Sequence, residues 1–302
     1  MRIFITGATG FIGDPLVKEL ITAGYQVLGL ARSKESAHAL GKMGAEVQLG
    51  PIEDLETLRQ GASASDAVIH LAFNHDFSKF RENCEIDKRA IEAIGAALRG
   101  SDRPLIVASG LAGLTAPGQA ATEAHDPSLD FSFPRVSEQT AFAMIPRGVR
   151  ASVVRLPQVH NTVKQGLVTF IIEKAREKGV SAYIGDGSNR WSAAHVSDVA
   201  HLFRLVLEKN EAGAKYHAVA EQGVSMREIA EAIGRGLKVP VKSISAHEAP
   251  AHFGWFSTFA GLDLQASSAI TRKKLGWNPS GPGILSDLEK MNYSLAQKSS
   301  AA

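Results

Sequence analysis

The chain has 302 residues, 44% hydrophobic and 21% charged, which is ordinary globular usage and enough for one large domain or two coupled ones. Its 33 Lys and Arg against 31 Asp and Glu leave a net charge of +2, giving no electrostatic basis for binding nucleic acid or an anionic membrane. A single cysteine, Cys84, excludes an internal disulfide, and no apolar run approaches the roughly 18 residues of a membrane span, so a cytoplasmic protein is the default expectation.

The first residues, Met1-Arg2-Ile3-Phe4-Ile5, enter structure directly, without the plan of a signal peptide. From there short β-rich runs alternate with helical patterns, the mark of βαβ units and a parallel sheet. Strands are predicted at 2–5, 26–30, 46–49, 67–71, 105–108 and 151–156, each a continuous apolar run suited to burial on both faces. Helices are predicted near 12–23, 34–43, 55–60, 80–98 and 135–145. The second half is less regular, with helices at 166–178, 196–209 and 226–237. Ser225 and Glu228 form a capping box at the start of the last of these, and Val224 and Ile229 are placed as its hydrophobic staple. The stretch 246–264 carries Phe253, Trp255, Phe256 and Phe259, which reads either as core or lid packing or as an aromatic wall of a substrate site.

Between the first strand and first helix lies Thr6-Gly7-Ala8-Thr9-Gly10-Phe11-Ile12-Gly13. That context separates a dinucleotide-binding turn from a chance glycine cluster. Gly7 permits the tight turn, Gly10 lets the backbone approach a pyrophosphate, and Gly13 lets the helix pack closely on the strand. The free N–H groups and the positive end of the helix dipole then face the phosphates, with Thr9, Phe11 and Ile12 part of the same turn. At the end of the second strand the sequence reads Ala31-Arg32-Ser33-Lys34, with no carboxylate before Glu35 to accept from a ribose 2′-OH. Arg32 and Ser33 instead offer donors to a 2′-phosphate, which favours NADP(H) over NAD(H).

The Thr-Gly-x-x-Gly-x-x-Gly turn begins a series of matches covering nearly the whole chain, which resembles the extended short-chain dehydrogenase/reductase superfamily. His70-Leu71-Ala72 resembles the segment beside the nicotinamide ribose, Val107-Ala108-Ser109-Gly110 the strand delivering a catalytic serine, and Arg155-Leu156-Pro157-Gln158-Val159 the segment passing the carboxamide. Gly185-Asp186-Gly187, His195 to Ala200 and Leu275 to Pro279 match substrate-domain landmarks. The resemblance implies a doubly wound Rossmann domain, 1–157 plus about 191–212. A smaller, discontinuous C-terminal α/β substrate domain would take about 158–190 and 213–302. It adds Ile52, Leu71, Ala72, Phe73, Pro157 and Val159 to the expected cofactor contacts. It also implies a possible homodimer through the helices at 80–98 and 135–145, for which Ile86, Ala90, Ala93 and Ala97 are suited as much as for internal packing.

The sequence departs from that family at the active site. The Tyr-x-x-x-Lys pair should fall within 131–138, yet the four tyrosines are Tyr25, Tyr183, Tyr216 and Tyr293. One register places Phe131 and Arg135 at the two positions, the other Pro134 and Glu138, and the first keeps a cation to hold the nicotinamide ribose. This is the pattern of an atypical subgroup. General acid catalysis is typically worth about 10²–10⁴-fold, whereas positioning alone supplies roughly 7–11 kcal/mol, so the loss argues for slow or differently assisted chemistry and not against hydride transfer altogether. Ser109, Arg135 and His160 are the expected catalytic residues. His195, just ahead of a helix, is assigned a structural role.

Ser109 lacks a Gly-x-Ser-x-Gly elbow, which argues against an α/β-hydrolase. His247 and His252 are spaced one residue too far for a zincin and Pro250 interrupts them, so no metal is expected. The leading expectation is an NADPH-dependent oxidoreductase acting on a small carbonyl-type substrate. Its alternatives are an NADP(H)-binding redox sensor without turnover and a sugar-nucleotide epimerase or dehydratase.

Overall fold

The computed structural model describes residues 1–127 and 134–294. Six strands come from the first half: Arg2–Thr6 (β1), Gln26–Ala31 (β2), Glu46–Leu49 (β3), Ala67–His70 (β4), Pro104–Gly110 (β5) and Arg150–Leu156 (β6). Five helices connect them: Gly13–Thr22 (α1), Lys34–Lys42 (α2), Leu55–Ser63 (α3), Phe80–Leu98 (α4) and Ser137–Ala143 (α5). Then follow Gln158–His160 (β7), Val168–Lys178 (α6), Ser181–Ile184 (β8), Arg190–His195 (β9), Val196–Lys209 (α7) and Lys215–His217 (β10). The chain continues through Glu221–Ser225 (β11), Met226–Leu237 (α8), Val241–Ile244 (β12), Ala249–Phe253 (α9), Ser257–Ala260 (α10), Ala269–Leu275 (α11) and Ile284–Lys290 (α12).

The large sheet has the order β10-β6-β5-β4-β1-β2-β3, with every neighbouring pair parallel. Alternation along each strand sorts its side chains into two cores. Ile3, Ile5, Val27, Ala67, Ile69, Ile106 and Val154 pack on one face with α1 and α7. Phe4, Leu28, Val68, Leu105, Val107 and Val153 pack on the other with α3, α4 and α5. This is the doubly wound Rossmann arrangement, and its strand order reverses between β1 and β4, where such sheets open a crevice.

Lys215–His217, expected in the smaller unit, instead extends the large sheet beyond β6. A three-residue strand is too short for sequence alternation to place it. The smaller unit has two sheets, β11-β9-β7 and β12-β8, packed with α6, α8, α9 and α12 around a third core that holds Trp191, Phe253, Phe256 and Ile284. The capping box of Ser225 and Glu228 is present, with Val224 and Ile229 in that core. Ile86, Ala90 and Ala93 of α4 are buried within the chain itself, which accounts for their apolar character through internal packing.

Candidate functional site

The glycine-rich turn sits at the reversal point of the sheet. Gly7 has φ +69°, and a Cβ there would come within 2.8 Å of the Ala72 backbone nitrogen at the end of β4. A Cβ on Gly13 would collide with the Gly7 carbonyl oxygen, so only glycine lets α1 begin this close to β1. The Gly10 N–H donates to the Gly7 carbonyl at 2.9 Å and closes the turn. Among the described residues no side chain caps the start of α1, which leaves its first N–H groups and its positive dipole end facing the turn. Thr9 and Gly10 are exposed there, while Phe11 and Ile12 are partly buried.

Arg32 at the end of β2 is exposed and has no ion-pair partner among the described residues. Ser33 is the N-cap of α2: its hydroxyl accepts from the Ser36 N–H at 3.2 Å. Ile52 lies in the turn beyond β3 and packs against the core beneath it.

A buried chain of polar groups runs from this turn toward Arg135. Thr6 and His70, register partners at the ends of β1 and β4, meet through the Thr6 hydroxyl and His70 Nδ1 at 2.8 Å. His70 Nε2 faces Asp87 Oδ1 of α4 at 3.1 Å, so the carboxylate places the imidazole proton on Nε2 and Thr6 donates to Nδ1. The Ser137 hydroxyl donates to Asp87 Oδ2 at 2.5 Å and accepts from Arg135 Nε at 2.9 Å. Arg135 Nη2 donates to the Ala108 carbonyl at 3.3 Å, and the guanidinium lies 4.2 Å over the Phe73 ring. Burial opposes the charge on Asp87, but the hydrogen bond from His70, the Arg135 charge and the Ser137 hydroxyl outweigh it and hold the carboxyl below its ordinary value.

Of the three residues expected to carry chemistry, two lie at the C-terminal end of β5 or bond to its backbone. Ser109, partly buried near the end of β5, directly follows the carbonyl that receives Arg135. His160 corrects the expectation. It is expected among the catalytic residues, with a packed ring as the alternative reading of a lone histidine, and the ring is fully buried, with Nδ1 at 2.8 Å from Asp287 Oδ2 of α12. The reason is that Gln158–His160 pairs with β9 and is covered by α12, whose Asp287 lies 127 residues further along the chain. Its pKa is lowered because burial outweighs the pull of Asp287. His195 caps α7, with Nδ1 accepting from the Ser197 N–H at 3.3 Å. Leu71, Ala72 and Phe73 follow β4, and Pro157 joins β6 to β7, in which Val159 is buried.

The two registers of the 131–138 segment separate physically. Glu138 turns inward, receiving Arg155 Nε at 2.7 Å and Nη2 at 2.5 Å in a fully buried pair, whereas Arg135 lies over Phe73. Phe131 lies outside the described residues. Arg155 also donates to His217 Nε2 at 3.2 Å, while His217 Nδ1 donates to the Ser267 carbonyl at 2.9 Å. Burial, with the Arg155 charge, pushes His217 down to about 4 against the opposing influence of Glu123.

Two further groups at this end of the sheet escaped the sequence reading. His75 stands between Phe73 and Phe77, with ring centroids 5.3 and 6.1 Å away. The residue is exposed, and desolvation with the charges of Arg135 and Lys164 lowers it to about 4. Lys164 holds its ammonium 5.8 Å from the Phe11 ring of the glycine turn. Neither carries a spacing signal, because each is brought in by a loop.

Comparison with known proteins agrees with this architecture. Residues 3–122 and 136–220 match the model of the NAD dependent epimerase/dehydratase family. An uncharacterized protein of Schizosaccharomyces pombe is 46% identical over 97% of this chain and all of its own length, and one of Saccharomyces cerevisiae is 44% identical over 98% and 100%. The crystal structure of a dTDP-glucose 4,6-dehydratase from Streptomyces venezuelae, with NAD bound, superposes with a TM-score of 0.77 at 17% identity, covering 96% of this chain and 95% of that one.

Proposed function

The chain belongs to the NAD-dependent epimerase/dehydratase family, and from that premise we propose that it is an NADPH-dependent reductase of small carbonyl compounds with a substituted active site. The observation that supports this reading is the contact of Arg135 with the carbonyl of Ala108, the residue before Ser109 on β5.

The residues present fit a dinucleotide. The tight turn that Gly7 and Gly13 permit, and the start of α1 without a side-chain cap, suit a diphosphate, with Lys164 as a nearby cation. Arg32 and the start of α2 at Ser33 suit the 2′-phosphate of NADPH, and Ile52, Leu71, Ala72, Phe73, Pro157 and Val159 would border the rest of the cofactor. When bound, reduced nicotinamide supplies the hydride that reduces a carbonyl carbon to an alcohol carbon. The C=O π electrons then collect on oxygen, and this chain must stabilise that charge. Ser109 donates one hydrogen bond to the oxygen. Arg135, held by Ser137 and Ala108, presents a fixed positive charge, an electrostatic role that needs no proton transfer from the guanidinium. Water provides the proton, since His160 is enclosed by α12. A sugar-nucleotide epimerase or dehydratase leans harder on the absent tyrosine.

The test is a pair of variants. Ser109→Ala and Arg135→Ala should each lower kcat/KM for carbonyl reduction by at least about tenfold while NADPH affinity changes much less. Wild-type turnover in both variants refutes the assignment.

A further inference from the structure

The β4–α4 loop and the smaller unit meet through aromatic rings. Phe77 stacks on Trp255 with centroids 4.5 Å apart and planes 17° from parallel. It also meets Phe170 of α6 at 5.7 Å and Phe259 of α10 at 5.8 Å, both near-perpendicular. Buried Phe253 and Phe256 anchor the segment on either side of Trp255, yet Trp255 keeps 48% of its surface exposed. In the other direction Phe77 contacts Phe80 at 5.4 Å, Phe80 contacts Phe73 at 6.1 Å, and Arg135 lies 4.2 Å over Phe73. A continuous row of rings therefore runs from the cation beside Ser109 to a half-exposed tryptophan.

We propose that this row is the substrate-recognition surface and that the substrate is an aryl-conjugated or other planar unsaturated carbonyl compound. The proposal rests on the carbonyl-reductase reading of Ser109 and Arg135. An oxygen drawn to those two donors leaves the remainder of the molecule at the start of the row. A planar ring covers apolar surface there and gains ring–ring contact, whereas a short alkyl chain leaves the row in water. Trp255 also differs from Trp191 and Trp277, which are both only 2% exposed and serve as core. Large amphipathic rings left partly open beside a polar group are what binding sites use for apolar recognition.

The test compares two non-reducible carbonyl probes by calorimetry on protein saturated with NADP⁺: cinnamamide, which has the ring, and propanamide, which does not. Cinnamamide should bind at least about tenfold more tightly, and Phe73→Leu, at the start of the row, should cut that ratio to about threefold or less. Phe73→Tyr should keep most of the preference, and the thermal melts of both variants separate loss of a ring from loss of the fold. In parallel, cinnamaldehyde and propanal are compared as reducible substrates with NADPH. Equal binding of the two amides, or a preference untouched by Phe73→Leu, overturns the proposal. Amide preference without reduction of either aldehyde supports the ring site and overturns the reductase reading instead. Reduction of both aldehydes without ring preference does the reverse.

Discussion

The Ser137 hydroxyl donates to the buried Asp87 carboxylate at 2.5 Å and, through its lone pair, accepts from Arg135 Nε at 2.9 Å. A cation at the crevice is thus held by a carboxylate it does not touch, and that carboxylate is itself held by His70 on the next strand. Ser137→Ala should release one side of the guanidinium and lower kcat for carbonyl reduction by about tenfold, with a stability loss of only about 1 kcal/mol. Asp87→Asn should cost about 1.5–3 kcal/mol in urea unfolding, since it replaces a charged acceptor shared by two donors. Unchanged kcat in Ser137→Ala contradicts the positioning role.

His217 gives the fold a defined response to acid. Its imidazole takes a proton near pH 6.5 when unfolded but resists until about 4 when folded. The associated stability is fully present above about pH 6.5 and is lost as pH falls toward 4, reaching about 3 kcal/mol. His217→Asn removes this titration, so its stability should fall less than the wild type's between pH 7 and pH 4 in urea titrations. Parallel curves for the two proteins contradict it.

How much of this was legible in sequence follows from the range of each interaction. The start of α8 could be placed because the Ser225–Glu228 box is a contact across three residues. The glycine turn could be placed because Gly7 and Gly13 answer to each other within one turn. The partner that fixes His160 could not be read locally, because Asp287 stands far along the chain. The Phe77–Trp255 stack joins segments from two units, and nothing in either local pattern names the other. Arg135 was found through resemblance, but its dependence on Asp87 lies in packing of α4 against α5 that periodicity does not specify.

The proposed NADPH preference rests on Arg32. Arg32→Ala should remove a charge-assisted hydrogen bond worth about 1.5–3 kcal/mol, roughly 10- to 150-fold in NADPH affinity, with NADH affinity nearly unchanged. Fluorescence titration with both cofactors checks this, and equal losses or none for either reject the assignment.

Gly13 tests the turn. In Gly13→Ala the new methyl meets the Gly7 carbonyl, and relieving that overlap should cost about 1–3 kcal/mol of stability and displace the amides at the head of α1. Gly24→Ala, where a Cβ meets nothing within 4 Å but φ is +86°, is the comparison that isolates backbone strain from collision. Dinucleotide binding should weaken at least about tenfold in Gly13→Ala and stay near wild type in Gly24→Ala. Equal binding by both variants contradicts the role of the turn.

The central claim is hydride transfer to a carbonyl carbon beside Ser109 and Arg135. The most direct measurement uses NADPH carrying deuterium at both C4 positions, incubated with the protein and cinnamaldehyde, and mass spectrometry of the alcohol formed. One deuterium should appear on the carbinol carbon of the cinnamyl alcohol, with the yield sharply reduced in Ser109→Ala and Arg135→Ala. Tight NADPH binding with no deuterium transferred to any carbonyl carbon would contradict it.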